Sequence, residues 1–191
     1  MMGHDGTLLA ILRRKTCSNV GFGDALRGAG SELGLAESQL LSPVNAAYAL
    51  LRLNLQVEEV SRLLTWQEFE KLAASLIRAA GFQVRDNVVL TRPRAQIDVV
   101  AYGTSSILSV DCKHYRREQA PSSIAKFARA QVRRSALLRL KTDDPRPIAS
   151  VILTTSEPEG KFVEGAAVVP IRTLRSFLTT LDSYGALLDL R

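Results

Sequence analysis

The stretch from residue 96 to residue 115 constrains the fold more than any other part of this chain. Residues 96–102 and 107–115 are two apolar runs of strand type, and a short turn at residues 103–106 separates them. Two such runs joined by a glycine-containing turn predict a β-hairpin. We therefore expect the two strands to lie side by side in one sheet.

Three charged residues interrupt these apolar runs. Alternation along the second strand places Asp111 and Lys113 on one face, and Asp98 stands between apolar neighbours on the first strand. Burying a charge without a partner costs several kcal/mol, so such groups are paired or bind a metal ion. A simple Asp111–Lys113 ion pair on a solvated face remains the alternative interpretation.

Two flanking helices carry polar residues that suit the same place. Thr65 and Glu68 have capping-box spacing at the start of a helix over residues 65–80, with Glu70 near the edge of its apolar stripe. A second helix is predicted over residues 122–140, and Gln131 lies on its apolar stripe, where an amide needs a polar partner. We expect one pocket to be formed by a set of five residues: Glu70, Asp98, Asp111, Lys113 and Gln131.

The order of the predicted elements indicates the fold class. Residues 65–191 are expected to run α-β-β-β-α-β-β-α, with further strands at residues 82–90, 148–155 and 168–171 and a last helix over residues 171–181. This order predicts an α/β fold, a mixed central sheet flanked by helices. Residues 1–64 are expected to form a small all-α appendage. Its helices at residues 43–53 and 57–64 have the spacing of a dimerisation or docking element, or of a weak helix-turn-helix.

The positive charge of the chain is concentrated in one segment. The net charge is +6, yet residues 1–64 hold six basic and six acidic residues, and residues 113–141 hold nine basic residues against one acid. A basic stripe of this kind suits a polyphosphate partner, and a solvated helix face is the alternative. Five basic residues are the candidate contacts: Arg116, Arg117, Lys126, Arg133 and Arg134.

Composition excludes several other classes of protein. The 191 residues are 46% hydrophobic, too apolar for a disordered chain, and the longest uncharged run, 14 residues, is too short to span a bilayer. We identify no secretion signal, and two cysteines, Cys17 and Cys112, make neither a disulfide framework nor a zinc site. We expect a cytoplasmic protein that does not contact membranes.

The motif in the hairpin resembles that of a known superfamily. Asp98, followed after 12 residues by Asp111-Cys112-Lys113, stands between a helix with Glu70 and a helix with Gln131. This pattern is similar to the PD-(D/E)xK nucleases, and most of all to Mrr-like restriction endonucleases and archaeal Holliday junction resolvases. The resemblance covers about 110 residues, from residue 64 to residue 171, and implies a restriction-endonuclease-like core.

The resemblance also implies a chemistry for each residue. Asp98, Asp111 and the Cys112 carbonyl would ligate Mg²⁺ or Mn²⁺, and Glu70 would hold a second metal ion or a water. Lys113 would orient or deprotonate the attacking water, and Gln131 would orient Lys113 or the substrate phosphate. The implied activity is metal-dependent hydrolysis of duplex or branched DNA by a homodimer. The alternative is an inactive nuclease fold that binds DNA or serves assembly.

Overall fold

The structure, a computed structural model, describes residues 31, 42–52, 56–115, 119–155 and 161–188. The chain divides into two compact units, residues 1–72 and 73–191. The candidate contacts Arg116 and Arg117, and also Cys17, lie outside the described residues.

Short helices form the described part of the first unit. Helix α1 spans Pro43–Arg52 and contacts helix α2, Val57–Ser61. Proline at the first helical position has its φ angle already set for a helix, which is why α1 begins there. Helix α1 matches the predicted segment 43–53 to within one residue, whereas α2 begins where predicted and ends three residues before the predicted residue 64. The remainder of residues 1–41 and 53–55, apart from residue 31, is outside the described ranges.

A capping box sets the start of helix α3, Trp66–Ala79, and a glycine sets its end. Glu68 Oε2 accepts hydrogen bonds from the Thr65 backbone N–H at 2.7 Å and from Thr65 Oγ1 at 2.8 Å, and the Glu68 N–H donates to Thr65 Oγ1 at 3.3 Å. This is the reciprocal pattern of a capping box. Gly81 ends the helix with a φ of +97°, a conformation that costs glycine little.

A six-stranded mixed sheet forms the centre of the second unit. The strands are β1 Gln83–Leu90, β2 Ala95–Tyr102, β3 Ile107–Lys113, β4 Ile148–Thr154, β5 Lys161–Val163 and β6 Ala166–Pro170. Their order across the sheet is β1-β2-β3-β4-β6-β5. The first three strands and the β5–β6 pair are antiparallel, whereas β3, β4 and β6 are parallel. The predicted hairpin and the predicted α/β class are confirmed.

The sheet has one strand more than the sequence predicted. Strand β5 has only three residues, which is too short for the alternation that identifies a strand in a sequence. A short 3₁₀ turn, Ile171–Thr173, follows β6, and the last helix, α5, spans Leu174–Leu188 and packs on β4 and β6.

Helix α4, Pro121–Arg139, connects β3 to the parallel strand β4 and packs on both. Two apolar clusters hold it against the sheet. The first consists of Leu90, Ile97, Val100, Ile107 and Leu138. The second consists of Ile124, Ala128, Ile152, Ala166 and Val168. The two ends of α4 are thus fixed independently, with its middle turns between the clusters.

None of the helices within the described ranges is long and apolar enough to cross a membrane.

The capping box at the start of α3 yields a test of stability. We expect Thr65→Ala to lower the free energy of unfolding by about 1 kcal/mol, because the Glu68 backbone N–H loses its acceptor and Glu68 Oε2 loses the hydroxyl donor. Urea unfolding followed by circular dichroism measures the change. Thr179→Ala is the matched control, since Thr179 lies exposed within α5 and only bonds the Ser176 carbonyl. An equal loss in both variants would contradict the cap.

Candidate functional site

Strand β3 presents a polar face to the middle of helix α4. Gln131 on α4 is fully buried, and its Nε2 donates to the Ser109 carbonyl at 2.7 Å and to Ser109 Oγ at 2.8 Å. Since side chains alternate along a strand, Ser109, Asp111 and Lys113 share this face. The structure therefore places Gln131, Asp111 and Lys113 together, as the sequence predicted for these three residues.

The buried amide belongs to a polar layer, defined by Ser109, Gln131, Ser135 and Ser150. Ser150 Oγ donates to Ser135 Oγ at 2.8 Å, and Ser135 Oγ donates to the Gln131 carbonyl at 3.1 Å. Along α4 and along β4 this layer lies between the two apolar clusters. Hydrogen bonds in such a setting are satisfied only in one alignment, so the layer fixes α4 against β3 and β4.

Asp111 is a buried carboxylate held by two cations. Only 4% of the residue is exposed. Lys113 Nζ lies 2.8 Å from its Oδ2, and Arg134 Nη1 lies 3.1 Å from its Oδ1. Arg134 Nη1 also donates to Gln131 Oε1 at 3.2 Å, so the amide orients the guanidinium. The cations offset the cost of burying the charge.

One oxygen of Asp111 retains bonding capacity. Oδ2 is buried and, among the described residues, accepts no hydrogen bond. Lys113 Nζ contacts this oxygen as an ion pair at 2.8 Å, and a carboxylate oxygen has a second lone pair beside such a contact. A buried carboxylate oxygen with an unused lone pair is unusual in a folded protein and is a ready ligand for a cation or a water.

Lys113 is positioned on its other side by an aromatic ring. Its Nζ lies 5.3 Å from the centroid of the Phe127 ring, which stacks on Tyr115 at 5.8 Å. An ammonium group over a ring face is attracted by the ring quadrupole. Its side chain is 20% exposed, so the ammonium is fixed by Asp111 and Phe127 and still reaches the surface.

Asp98 is the second carboxylate of the site. The register of β2 and β3 pairs Val100 with Ser109 and Val99 with Val110, and Asp98 and Asp111 are the next residues beyond the last pair, close enough for their charges to interact. Cβ atoms of residues directly opposite each other are about 5 Å apart. Asp98 Oδ2 accepts the Cys112 backbone N–H at 2.8 Å. The two aspartates therefore form a pair on neighbouring strands.

Burial of Asp98 raises its pKa above 3.8. The N–H of Cys112 lowers the pKa, the negative charge of Asp111 raises it further, and Lys113 and Arg134 lower it. The ionised Asp98 carboxylate therefore lowers the stability of the folded chain at pH values above its raised pKa. Carboxylate pairs of this kind are common at functional sites.

The pair fits a hard divalent cation. Mg²⁺ needs only one or two protein carboxylates, because it keeps several waters and takes further oxygens from a substrate phosphate. Asp98 and Oδ2 of Asp111 supply that number of carboxylates. Among the described residues no three His, Cys, Asp or Glu side chains are grouped to hold a metal ion. Such an ion would rest on the two aspartates, with backbone and water oxygens completing its shell.

Two further predicted ligands have no tested role. Cys112 is a buried free thiol, and its backbone N–H serves Asp98, whereas a role for its carbonyl remains a prediction. Glu70 is half-buried on α3, in the unit of residues 1–72. Its predicted role as a ligand also remains a prediction.

The basic segment is only partly available to a partner. Arg134 is bound to Asp111, Arg129 Nη1 pairs with Glu164 Oε1 at 2.8 Å, and Arg139 donates to the carbonyls of Asp144 and Arg146. Lys126 and Arg133 are exposed on α4, as the substrate-track interpretation requires.

Sequence reasoning missed the link between Arg134 and Asp111. The spacing of Arg134 three residues after Gln131 was the available signal, because residues three apart are neighbours on a helix surface. Ser109 and Ser135 also stood on the predicted faces, yet their small side chains gave no sign of a polar layer.

Comparisons with known proteins agree with the motif. A family model described as restriction endonuclease, Mrr_cat, matches residues 61–138, a range that includes all five predicted catalytic residues. An uncharacterised protein of Archaeoglobus fulgidus is 30% identical over 126 residues, which are 62% of this chain and 93% of that protein.

Among solved structures, protein VC1899 from Vibrio cholerae is similar with a TM-score of 0.40 and 14% identity. The alignment covers 97% of this chain, and this chain spans 57% of that protein.

The polar layer predicts a large effect of a nearly isosteric change. We expect Gln131→Leu to lower the free energy of unfolding by about 1–3 kcal/mol, because Ser109 and Arg134 lose a buried partner. Urea unfolding is the measurement. Gln96→Leu is the control, since Gln96 is exposed and bonds only Asn87, and should change stability by about 0.5 kcal/mol or less. Equal stability of Gln131→Leu and the wild type would refute a role for the layer.

The raised pKa of Asp98 predicts a pH-dependent gain from removing its charge. The folded state binds this proton more tightly than the unfolded state, so the wild type loses stability as the pH rises from 3.8 through the raised pKa. Asp98→Asn removes that loss. With EDTA present, we expect the variant to be more stable than the wild type at pH 7 and the difference to shrink toward pH 4.

Asp86→Asn is the control for this measurement, because Asp86 is an exposed strand aspartate paired with Arg78 at 2.8 Å. A difference for Asp98→Asn that does not vary with pH would show that its charge is not the cause.

Proposed function

We propose that this chain, a member of the Mrr-like PD-(D/E)xK nuclease superfamily, hydrolyses phosphodiester bonds of DNA with the help of Mg²⁺ or Mn²⁺. The observation that carries the proposal is the ion pair at the end of β3. It places the Lys113 ammonium 2.8 Å from Oδ2 of a buried carboxylate, with Asp98 beside it.

Hydrolysis of a phosphodiester requires a water oxygen to attack phosphorus in line while the bond to the leaving oxygen breaks. A bound divalent ion supplies charge neutralisation at the phosphoryl oxygens and makes water easier to deprotonate. The two aspartates would hold that ion. The attacking water gives up one proton and the leaving oxygen takes up one proton, so the number of protons is unchanged by the step.

Lys113 is suited to the attacking water. An ammonium group has three N–H donors, and Asp111 and Phe127 fix its position without using all of them. The remaining donors would orient the water and stabilise the negative charge that develops on the phosphoryl group. Preorganisation is the main contribution, since Lys113 needs no rearrangement when substrate arrives.

Gln131 and Arg134 support this arrangement from helix α4. Gln131 was predicted to orient Lys113 or the substrate phosphate, and its partners in the structure are Ser109 and Arg134. We assign it the task of holding Arg134 on Asp111 Oδ1, which leaves Oδ2 on the side of Lys113. Exposed Lys126 and Arg133, together with Arg116 and Arg117, are proposed to contact the DNA backbone.

A second candidate function has its own support. Asp111 already has two cationic partners, and no third acidic ligand is grouped with the pair within the described residues. Both features suit a nuclease fold that binds DNA without cutting it. Such a protein would shift duplex DNA in a gel and leave it intact with either metal ion.

Cutting both strands of a duplex calls for two sites, so we also propose a homodimer. The helices of residues 1–64 are the proposed docking element, with a helix-turn-helix as the alternative for the same segment. A 1–64 deletion that remains folded and becomes monomeric in sedimentation would support docking.

The nuclease proposal predicts a loss of activity without a loss of fold. We expect Lys113→Ala and Asp98→Ala to reduce Mg²⁺- or Mn²⁺-stimulated cleavage by about 100-fold or more, because each removes a group from the reacting centre. Linear, supercoiled, methylated and four-way-junction DNA are the substrates, and EDTA should abolish cleavage of all four.

Lys141→Ala and Asp86→Ala are the matched controls and should cut like the wild type, since both side chains are exposed. Circular dichroism confirms that each variant is folded. Full cleavage by either Lys113→Ala or Asp98→Ala would disprove the roles assigned here.

A further inference from the structure

A surface pocket of about 380 Å³ lies at the end of β2 that is remote from Asp98. It is enclosed by β1, β2 and the loop that leads into β4. Its lining residues are Gln83, Val84, Arg85, Tyr102, Asp144 and Arg146. Two guanidinium groups and one carboxylate give this lining a net positive charge.

The guanidinium of Arg146 uses its N–H donors within the protein. Its Nε donates to Asp144 Oδ1 at 2.9 Å, its Nη2 to Asp144 Oδ2 at 2.5 Å, and its Nη1 to the Gly103 carbonyl. These hydrogen bonds from Arg146 lower the pKa of Asp144 to about 2, so the carboxylate is ionised and its charge is matched. Asp144 and Arg146 therefore neutralise each other, and neither is available to bind a charged ligand.

Arg85 differs from Arg146 in its partners. Its guanidinium lies over the ring of Tyr102, 5.4 Å from the centroid, and Arg146 lies over the same ring at 5.8 Å. Within the described residues no carboxylate is in ion-pair distance of Arg85. An exposed arginine that is ordered by a ring and not by an acid keeps its N–H donors for an anion.

The pocket opens on the same side of the sheet as the aspartate pair. Alternation along β2 puts Asp98, Val100 and Tyr102 on one side, and Arg85 is the cross-strand partner of Val100. Tyr102 lies four positions after Asp98, a rise of about 13 Å along the strand, and Val100 between them on this side is buried against Leu138 of α4.

We propose that Arg85, ordered by the ring of Tyr102, binds a backbone phosphate of duplex DNA at a position separate from the phosphate held at Asp98 and Asp111. The inference rests on the proposed function for its substrate and adds a second phosphate position. A guanidinium forks onto phosphate oxygens, and the Arg146–Asp144 pair walls the pocket without competing for them. The contact sets the register of the duplex and reads no bases.

The test is DNA binding without metal. Fluorescence anisotropy of a labelled 24-base-pair duplex in EDTA gives Kd over a series of salt concentrations, with no cleavage. We expect Arg85→Gln to weaken binding about threefold to tenfold and to reduce the slope of log K against log salt by about 0.9, the loss of one phosphate contact. Tyr102→Leu should weaken binding as well, and Tyr102→Phe, which keeps the ring, should bind like the wild type.

Arg78→Gln is the matched control, an exposed arginine whose guanidinium is paired with Asp86. We expect its Kd and its salt slope to equal those of the wild type. An unchanged slope for Arg85→Gln, or an equal loss in Arg78→Gln, would overturn the inference. So would a wild type that does not bind the duplex.

This assay, combined with the cleavage measurement described under the proposed function, separates the inference from that function. A wild type that binds but never cuts, with a reduced slope for Arg85→Gln, refutes the nuclease and supports the phosphate position. A wild type that cuts, with an unchanged slope for Arg85→Gln, does the reverse. Because the Arg85 side chain is exposed, the variant should fold, and thermal unfolding checks this independently of Tyr102→Leu.

Discussion

The buried charge of Asp111 is the constraint on which the second unit depends most. A carboxylate that is 4% exposed requires cations within contact distance, and the chain supplies them from two directions. Lys113 comes from the same strand, two residues on, and Arg134 comes from helix α4. The position of α4 is thus tied to the chemistry of β3, and a shift of the helix by one residue would remove both Arg134 and Gln131 from their partners.

The polar layer explains how α4 tolerates hydrophilic residues in its buried stripe. Apolar contacts at both ends supply most of the attraction to the sheet, since they are non-directional and scale with the area buried. The hydrogen bonds of the Gln131 amide and of the serine hydroxyl groups add a directional constraint to this packing. Gln131 bonds both the carbonyl and the side chain of Ser109, which fixes rotation and translation of the helix together. The geometry of the candidate site and the specificity of packing therefore come from the same residues.

The sequence predicted the relations that follow from local periodicity. Asp111 and Lys113 on one face follow from alternation along β3, and the turn at residues 103–106 is short enough to bring Asp98 beside them. The capping box at Thr65 is equally local. Relations between distant segments were less accessible, because a charge pattern along a chain does not say which charges meet.

The basic segment illustrates this limit. Its charge was interpreted as a substrate track, whereas Arg129, Arg134 and Arg139 each have a partner within the protein. Arg85 and Tyr102 lie outside that segment and gave no signal, since their pocket exists only when β1, β2 and the loop before β4 come together.

The two margins of the sheet bear on how copies of this chain can associate. An exposed strand margin is a template for pairing with another chain, which leads to edge-to-edge aggregation. Strand β1 opposes this with exposed Arg85 and Asp86 and with Asn87 at a φ of +51°, which interrupts the regular ladder. Strand β5, at the other margin, has only three residues, which is a short segment for pairing with another chain. Continuation of the sheet from one copy into the next is disfavoured at both margins, so self-association must use surfaces other than backbone pairing.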